Sequence, residues 1–143
     1  MSMKVTMNIK GAEEIKQRLN MMQKEVAGEH LREVALEAAE IIRSEAEARA
    51  PRRTGTLASD IHKELDEKEV LGTRVKVKIG PGKKGWYGRL VEMGHKIVRG
   101  RRKAEKQVVG YAPPKPWLRP AFDATKKKAQ EHMIEEFKRR LGL

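Results

Sequence analysis

The sequence predicts an α+β fold, in which a small, mostly antiparallel sheet packs against a long N-terminal helix pair and a C-terminal helix. Three observations carry that expectation. Apolar residues recur at helical spacing over residues 12–49 and again after Pro120. They alternate with polar residues near the N-terminus and around Val77. Glycine or proline stands at each change of period. At 143 residues the chain has the size of one domain, 1–143, with one modest core.

Met3, Val5, Met7 and Ile9 alternate with polar residues before Gly11, the pattern of a half-buried strand. Ile15, Leu19, Met22 and Val26 then share one helical face. A second stripe of Leu31, Val34, Ala35, Ala38, Ile41 and Ile42 lies about 150° away from the first on a continuous helix. The jump falls at Ala27-Gly28, so the sequence predicts two helices, about 12–26 and 29–49, broken at the glycine. Pro51 ends the second by disfavouring helical geometry at Ala50. Leu57, Ile61 and Leu65 fit a short helix or an extended segment, and a short turn followed by a strand is the preferred reading. Val75, Val77 and Ile79 form a strand with one wet face, ended by Gly80-Pro81-Gly82. Tyr87 to Met93 makes a short helix with Gly94 at its C-terminal cap. Ile97-Val98 and Val108-Val109 are β-prone pieces flanking a cationic tip, which together make a basic hairpin at 96–111. Pro113, Pro114 and Pro116 enforce an extended arm. Pro120 fits the first turn of a last helix striped by Phe122, Ala129, Met133, Phe137 and Leu141.

Several chemistries lack their residues. There is no cysteine, hence no disulfide, thiolate nucleophile or Cys-based metal site. His30, His62, His95 and His132 show no metal-ligand spacing. Ser2, Ser44 and Ser59 sit in no nucleophile elbow. Gly80 to Gly85 mimics the glycine frame of a phosphate loop, yet Trp86 and Tyr87 stand where that loop needs Lys and Ser/Thr. We therefore expect no catalytic, cofactor or metal site. Met1 to Gly11 has no apolar run of signal-peptide length, and no stretch is long enough for a membrane partner.

Charge is the most informative number. The formal net charge is +12, and it is lopsided: residues 1–70 sum to −2 and residues 71–143 to +14. Such asymmetry predicts an anionic partner, nucleic acid or an acidic protein surface. Glu29, Glu33, Glu37, Glu40 and Glu47 fall within an arc of about 80° on the second helix, opposite its apolar face. The arc is either a solvated face or a surface that a basic patch of another subunit covers. Lys96, Arg99, Arg101, Arg102, Lys103 and Lys106 crowd the hairpin. These two features together suggest that the basic tip of one subunit lies on the acidic helix of the next, a head-to-tail contact that closes into a ring. Trp117 and Leu118 are apolar anchors on the proline-stiffened arm, for docking on their own domain or on a neighbour.

Three segments, in order, resemble a known family. Ala50-Pro51-Arg52-Arg53-Thr54-Gly55-Thr56-Leu57 resembles its A-P-x-x-T-G-x-L segment, and Tyr87-Gly88-Arg89-Leu90-Val91-Glu92-Met93-Gly94 its Y-x-x-hydrophobic-V-E-aromatic-G helix. Pro116-Trp117-Leu118-Arg119-Pro120-Ala121 resembles the P-F-L-R-P-A start of its final helix. The family is that of the tail-completion, or head–tail joining, proteins in the neck of tailed bacteriophages. Met93 and Trp117 replace the more common phenylalanines, and His95 stands where a small hydroxyl residue is common. The resemblance implies a non-enzymatic structural subunit of a homo-oligomeric, six-fold ring. That ring would lie between the head connector or stopper and the tail terminator or tail tube, with double-stranded DNA passing through it. It implies a place in the virion neck, and in the host cytoplasm during assembly. The alternative reading is a basic nucleic-acid-binding module. Within the motifs, Gly55 and Gly94 permit turns, and Glu92 is expected to contact Arg119, both in apolar surroundings.

Overall fold

The computed structural model describes residues 3–5, 13–22, 24–66 and 75–142. The fold is α+β, as the sequence predicts. A short strand β1 (Met3–Val5) precedes helices α1 (Glu13–Met21) and α2 (Lys24–Arg49). A single helical turn α3 (Thr56–Ser59) leads into strand β2 (Ile61–Leu65), followed by β3 (Val77–Pro81). Helix α4 (Gly88–Met93), the hairpin β4 (His95–Arg99) and β5 (Gln107–Ala112), and helix α5 (Leu118–Leu141) complete the chain. Met7, Ile9 and Gly11 of the expected first strand lie outside the described residues.

The sheet has β3 at its centre, antiparallel to β1 on one side and β2 on the other. Cross-strand pairs such as Lys63↔Ile79 and Leu65↔Val77 set the register, so Ile61, Lys63 and Leu65 share the face turned to α2. Lys63 keeps that inward position by running its stem along the helix. Its ammonium donates to the Leu36 carbonyl at 3.3 Å and meets Glu40 at 3.0 Å. On the helical side, Val34, Ala38, Ile42, Ala46 and Ala50 form one buried row at four-residue intervals. Ala121, Thr125, Ala129, Met133, Phe137 and Leu141 form another. Two such i±4 ridges are the surfaces that interdigitate when helices pack, and the alanines let the two backbones approach. Ile15 and Leu19 of α1 close the same core.

One boundary needs correction. The break between the first two helices is not at Gly28, which is buried inside α2. The chain leaves helical geometry after Met21, where Met22 N–H turns to the Leu19 carbonyl at 3.3 Å, an i→i−3 bond. This earlier break absorbs the phase jump and leaves Val26 on α2 facing water.

Candidate functional site

The three motifs meet in one knot. The Pro51–Gly55 turn, with Gly55 at φ +76°, sets α3 so that Leu57 is fully buried. Gly88 opens α4 directly against it: a Cβ there would lie 2.6 Å from Leu57 Cδ1 and 3.1 Å from Trp117 Cζ2. Trp117 fills the third side, 1% exposed, and its ring Nε1–H donates to the Gly88 carbonyl at 3.0 Å. Tyr87, at the N-cap of α4, is half-buried against the same core. Lys115 N–H donates to the Val91 carbonyl at 2.8 Å and lays the proline arm along α4. The anchors Trp117 and Leu118 thus dock on their own domain.

Glu92 is the centre of this knot, and it binds more than the sequence suggests. The first turn of any helix holds four backbone N–H groups with no partner inside the helix. In α5 three of them go to one carboxylate. Glu92 Oε2 accepts from Trp117 N–H at 2.6 Å and Leu118 N–H at 2.9 Å, and Oε1 accepts from Arg119 N–H at 3.0 Å. The fourth position is Pro120, which has no N–H to satisfy. The negative charge also faces the positive end of the helix dipole. The expected Glu92–Arg119 contact is therefore made by the Arg119 backbone. Its guanidinium is not in apolar surroundings: the side chain is 76% exposed and meets Asp123 at 3.6 Å. The capping carboxylate needs an N–H, and any residue supplies one; the side chain was free to turn to solvent.

A second anchor was not read from the sequence. Asp60 is buried at the end of α3, and its Oδ2 accepts Gly85 N–H at 2.6 Å while Oδ1 meets His62 Nε2 at 2.9 Å. Gly82 N–H donates to the Asp60 carbonyl at 2.9 Å. The backbone bond from Gly85, then the His62 contact, holds the Asp60 carboxyl below its ordinary range. The glycine-rich loop that imitates a phosphate cradle is thus occupied by the protein's own carboxylate.

The acidic stripe is largely matched within the chain. Glu33 and Glu37 flank the seam between α2 and α5, where Arg140 reaches both, Glu37 at 3.2 Å, together with Glu136 at 3.1 Å. His132 Nε2 meets Glu37 at 3.1 Å. Arg43 bridges Glu40 at 2.6 Å and Glu47 at 2.9 Å. Glu40, held by Arg43 and then by Lys63, has its pKa lowered to about 2. Glu33 is lowered by Arg140, and Glu136 to about 2 by Arg139 and Arg140. Glu29 is exposed at the start of the stripe.

The hairpin is the opposite case. Lys96, Arg99, Arg101, Arg102, Lys103 and Lys106 are all exposed, and none makes an ion pair among the described residues. Gly94, at φ +75°, launches the arm: a Cβ there would strike the Ala112 carbonyl at 2.7 Å. Its strands are apolar yet wet, with Ile97, Val98, Val108, Val109 and Tyr111 between 42% and 61% exposed. A ridge formed by the turn before α4 and by α4 itself is wet too: Trp86 in the turn, and Leu90 and Met93 three positions apart on the helix, are 68%, 37% and 63% exposed. The ridge borders an open groove of about 650 Å³ between Glu64, Pro81, Gly82, Lys83 and Arg89. Sequence reasoning passed over this ridge, because Trp86 was weighed only as a departure from a phosphate loop.

Among the described residues no group of His, Asp or Glu could hold a metal ion, and no helix is long and apolar enough to cross a membrane. No curated protein and no solved structure matches the chain. A family model described as "Bacteriophage HK97-gp10, putative tail-component" matches residues 13–94. That span runs from α1 to the cap of α4 and takes in the first two motifs, while the third, outside it, is bonded to Glu92 within it. The chain therefore belongs to the HK97-gp10-like family of bacteriophage tail components.

Proposed function

We propose that the chain is a structural subunit of the phage neck, one of a ring, six-fold in the simplest case, that joins the head connector to the tail tube and lets DNA pass. The family gives a phage structural role and a place in the virion. The observation that carries the finer reading is the arm. A body with its own closed core projects a hairpin whose six cations have no ion-pair partner among the described residues and whose β-branched residues stay in water. An isolated two-stranded hairpin is marginally stable in water, so such an arm is built to be covered. Its neighbours in this reading are further copies of the chain, the connector or stopper, and the tail terminator or tube. The reaction assigned is none: Glu92, Gly88 and Trp117 are spent on holding α5. Electron microscopy of the purified protein, alone and mixed with connector, tests the proposal. The expected result is a closed ring coaxial with the portal; a virion map placing the chain away from the head–tail junction overturns it.

The unpaired cations favour one second reading, a nucleic-acid-binding module. A dedicated binder holds double-stranded DNA at sub-micromolar affinity and loses it steeply with salt, because phosphate neutralisation releases counterions. A ring with a permissive lumen shows weak binding with a shallow slope.

A further inference from the structure

Two apolar surfaces of this chain are left in water, and they lie on either side of one glycine. The ridge Trp86–Leu90–Met93 ends at Gly94, and the arm begins at His95. We infer that the two surfaces are partners between copies: the hairpin of one subunit seats on the α4 ridge and groove of the next.

The acidic stripe on α2 fails as the seat of the arm. Glu33, Glu37, Glu40 and Glu47 already meet Arg140, His132, Arg43 and Lys63 of their own chain. A second set of cations there would displace existing pairs for little gain, since exposed ion pairs are worth about 0–1 kcal/mol. Nor is the arm's character purely cationic. Register places Val98 opposite Val108 and Lys96 opposite Tyr111 on one face, with Ile97 over Gly110 on the other. DNA phosphates ask for cations and offer nothing to these side chains. A surface for them must itself be apolar, and among the described residues the ridge of Trp86, Leu90 and Met93 is such a surface.

The small area suits a second copy only where the contact is repeated around a ring. Trp86 leaves about 100–170 Å² in water and Tyr111 about 90–150 Å², taking 150–250 Å² for a whole aromatic side chain. Ile97 lies on the other face of the hairpin, so the apolar surface buried at one seat falls below the roughly 1,000–1,200 Å² of a specific interface. One such contact is too small for a durable dimer. In a ring each subunit uses its arm once and its ridge once, so every contact is closed by the others. A strand of five residues spans about 17 Å, enough to cross a neighbour's α4 and its groove. The cationic tip then projects beyond the seat.

The inference rests on the ring reading, and the absence of cysteine makes it testable without background. Val108→Cys marks the arm and Leu90→Cys marks the ridge, both at exposed positions. The two single variants are mixed, oxidised with a mild disulfide-forming reagent, and resolved by mass, beside sedimentation of the uncrosslinked protein. The expected result is a covalent dimer containing one chain of each variant, with each variant alone giving at least ten-fold less. A dominant Val108→Cys homodimer overturns the inference in favour of an arm-to-arm contact. Sedimenting oligomers with no mixed disulfide overturn the contact and leave the ring standing. No mixed disulfide and no oligomer at protein concentrations up to about 1 mM overturn both, since a weaker contact than that is no assembly interface.

Discussion

Glu92→Ala removes three hydrogen bonds at once, and the structure says which of them matter. Trp117 and Leu118 are 1% and 3% exposed, so their N–H groups lose the carboxylate with no water in its place. A buried donor left unpaired costs about 1–3 kcal/mol. Arg119 is exposed, and its N–H turns to solvent. Loss of the charge at the helix N-terminus adds about 0.3–1 kcal/mol. The sum for Glu92→Ala is about 3–4 kcal/mol, once some loosening of the first turn is allowed. Glu92→Gln keeps one carbonyl oxygen for Trp117 and Leu118 and loses the charge, for about 1–2 kcal/mol. Arg119→Ala deletes an exposed guanidinium and costs under about 0.5 kcal/mol. Urea unfolding followed by circular dichroism and by tryptophan fluorescence reads all three, because Trp117 lies in the knot. For a chain of this length the alanine variant melts about 10–15 °C lower. The reasoning is refuted if Glu92→Ala stays within 0.5 kcal/mol of the parent, or if Arg119→Ala is as costly as Glu92→Ala.

Other outcomes follow from the same geometry. Gly88→Ala drives a methyl to 2.6 Å from Leu57 and lowers stability by about 1–3 kcal/mol; the Leu57→Ala background recovers part of that loss in a double-mutant cycle, and additive effects would contradict the close packing. Glu40, Glu33 and Glu136 have folded pKa values below the unfolded value of 4.5, so their contribution is present above that value and is lost as pH falls through the folded values, which are about 2 for Glu40 and Glu136. Unfolding midpoints measured between pH 5 and pH 2 should therefore decline, and Arg140→Met should flatten the decline; an unchanged slope argues against the α2–α5 pairs. Arg101→Glu with Arg102→Glu leaves the melting temperature unaltered, since neither cation has an ion-pair partner among the described residues, and electron microscopy shows rings of the protein alone still formed, since the tip projects beyond the apolar seat; lost rings would contradict that seat.

Periodicity made the elements legible: the alternation around Val77 gave β3, and the stripe from Phe122 to Leu141 gave α5. Their partners were harder to see. The break near Met22 was misplaced to Gly28 because a glycine is a permissible place for a phase jump, and a helix paired along its length tolerates one inside. Glu92 was singled out correctly, yet its ligands are main-chain N–H groups, which carry no residue signature. Asp60 escaped for the same reason, since a glycine N–H is its principal partner. The acidic stripe showed up as a pattern of like charges, while Arg140, more than 100 positions away, could be assigned to Glu33 and Glu37 only once α2 and α5 were seen side by side.

The clasp from Glu92 to Trp117 spans 25 positions, and nearly all that lies between is the arm. The body is therefore pinched shut beneath an appendage that it does not need for its own integrity. Lengthening, trimming or exchanging that appendage alters only the entropy of a closed loop, about 0.6 kcal/mol for each doubling of its length. The same chassis could thus carry differently decorated fingers, each matched to a different neighbour, with no redesign of its interior.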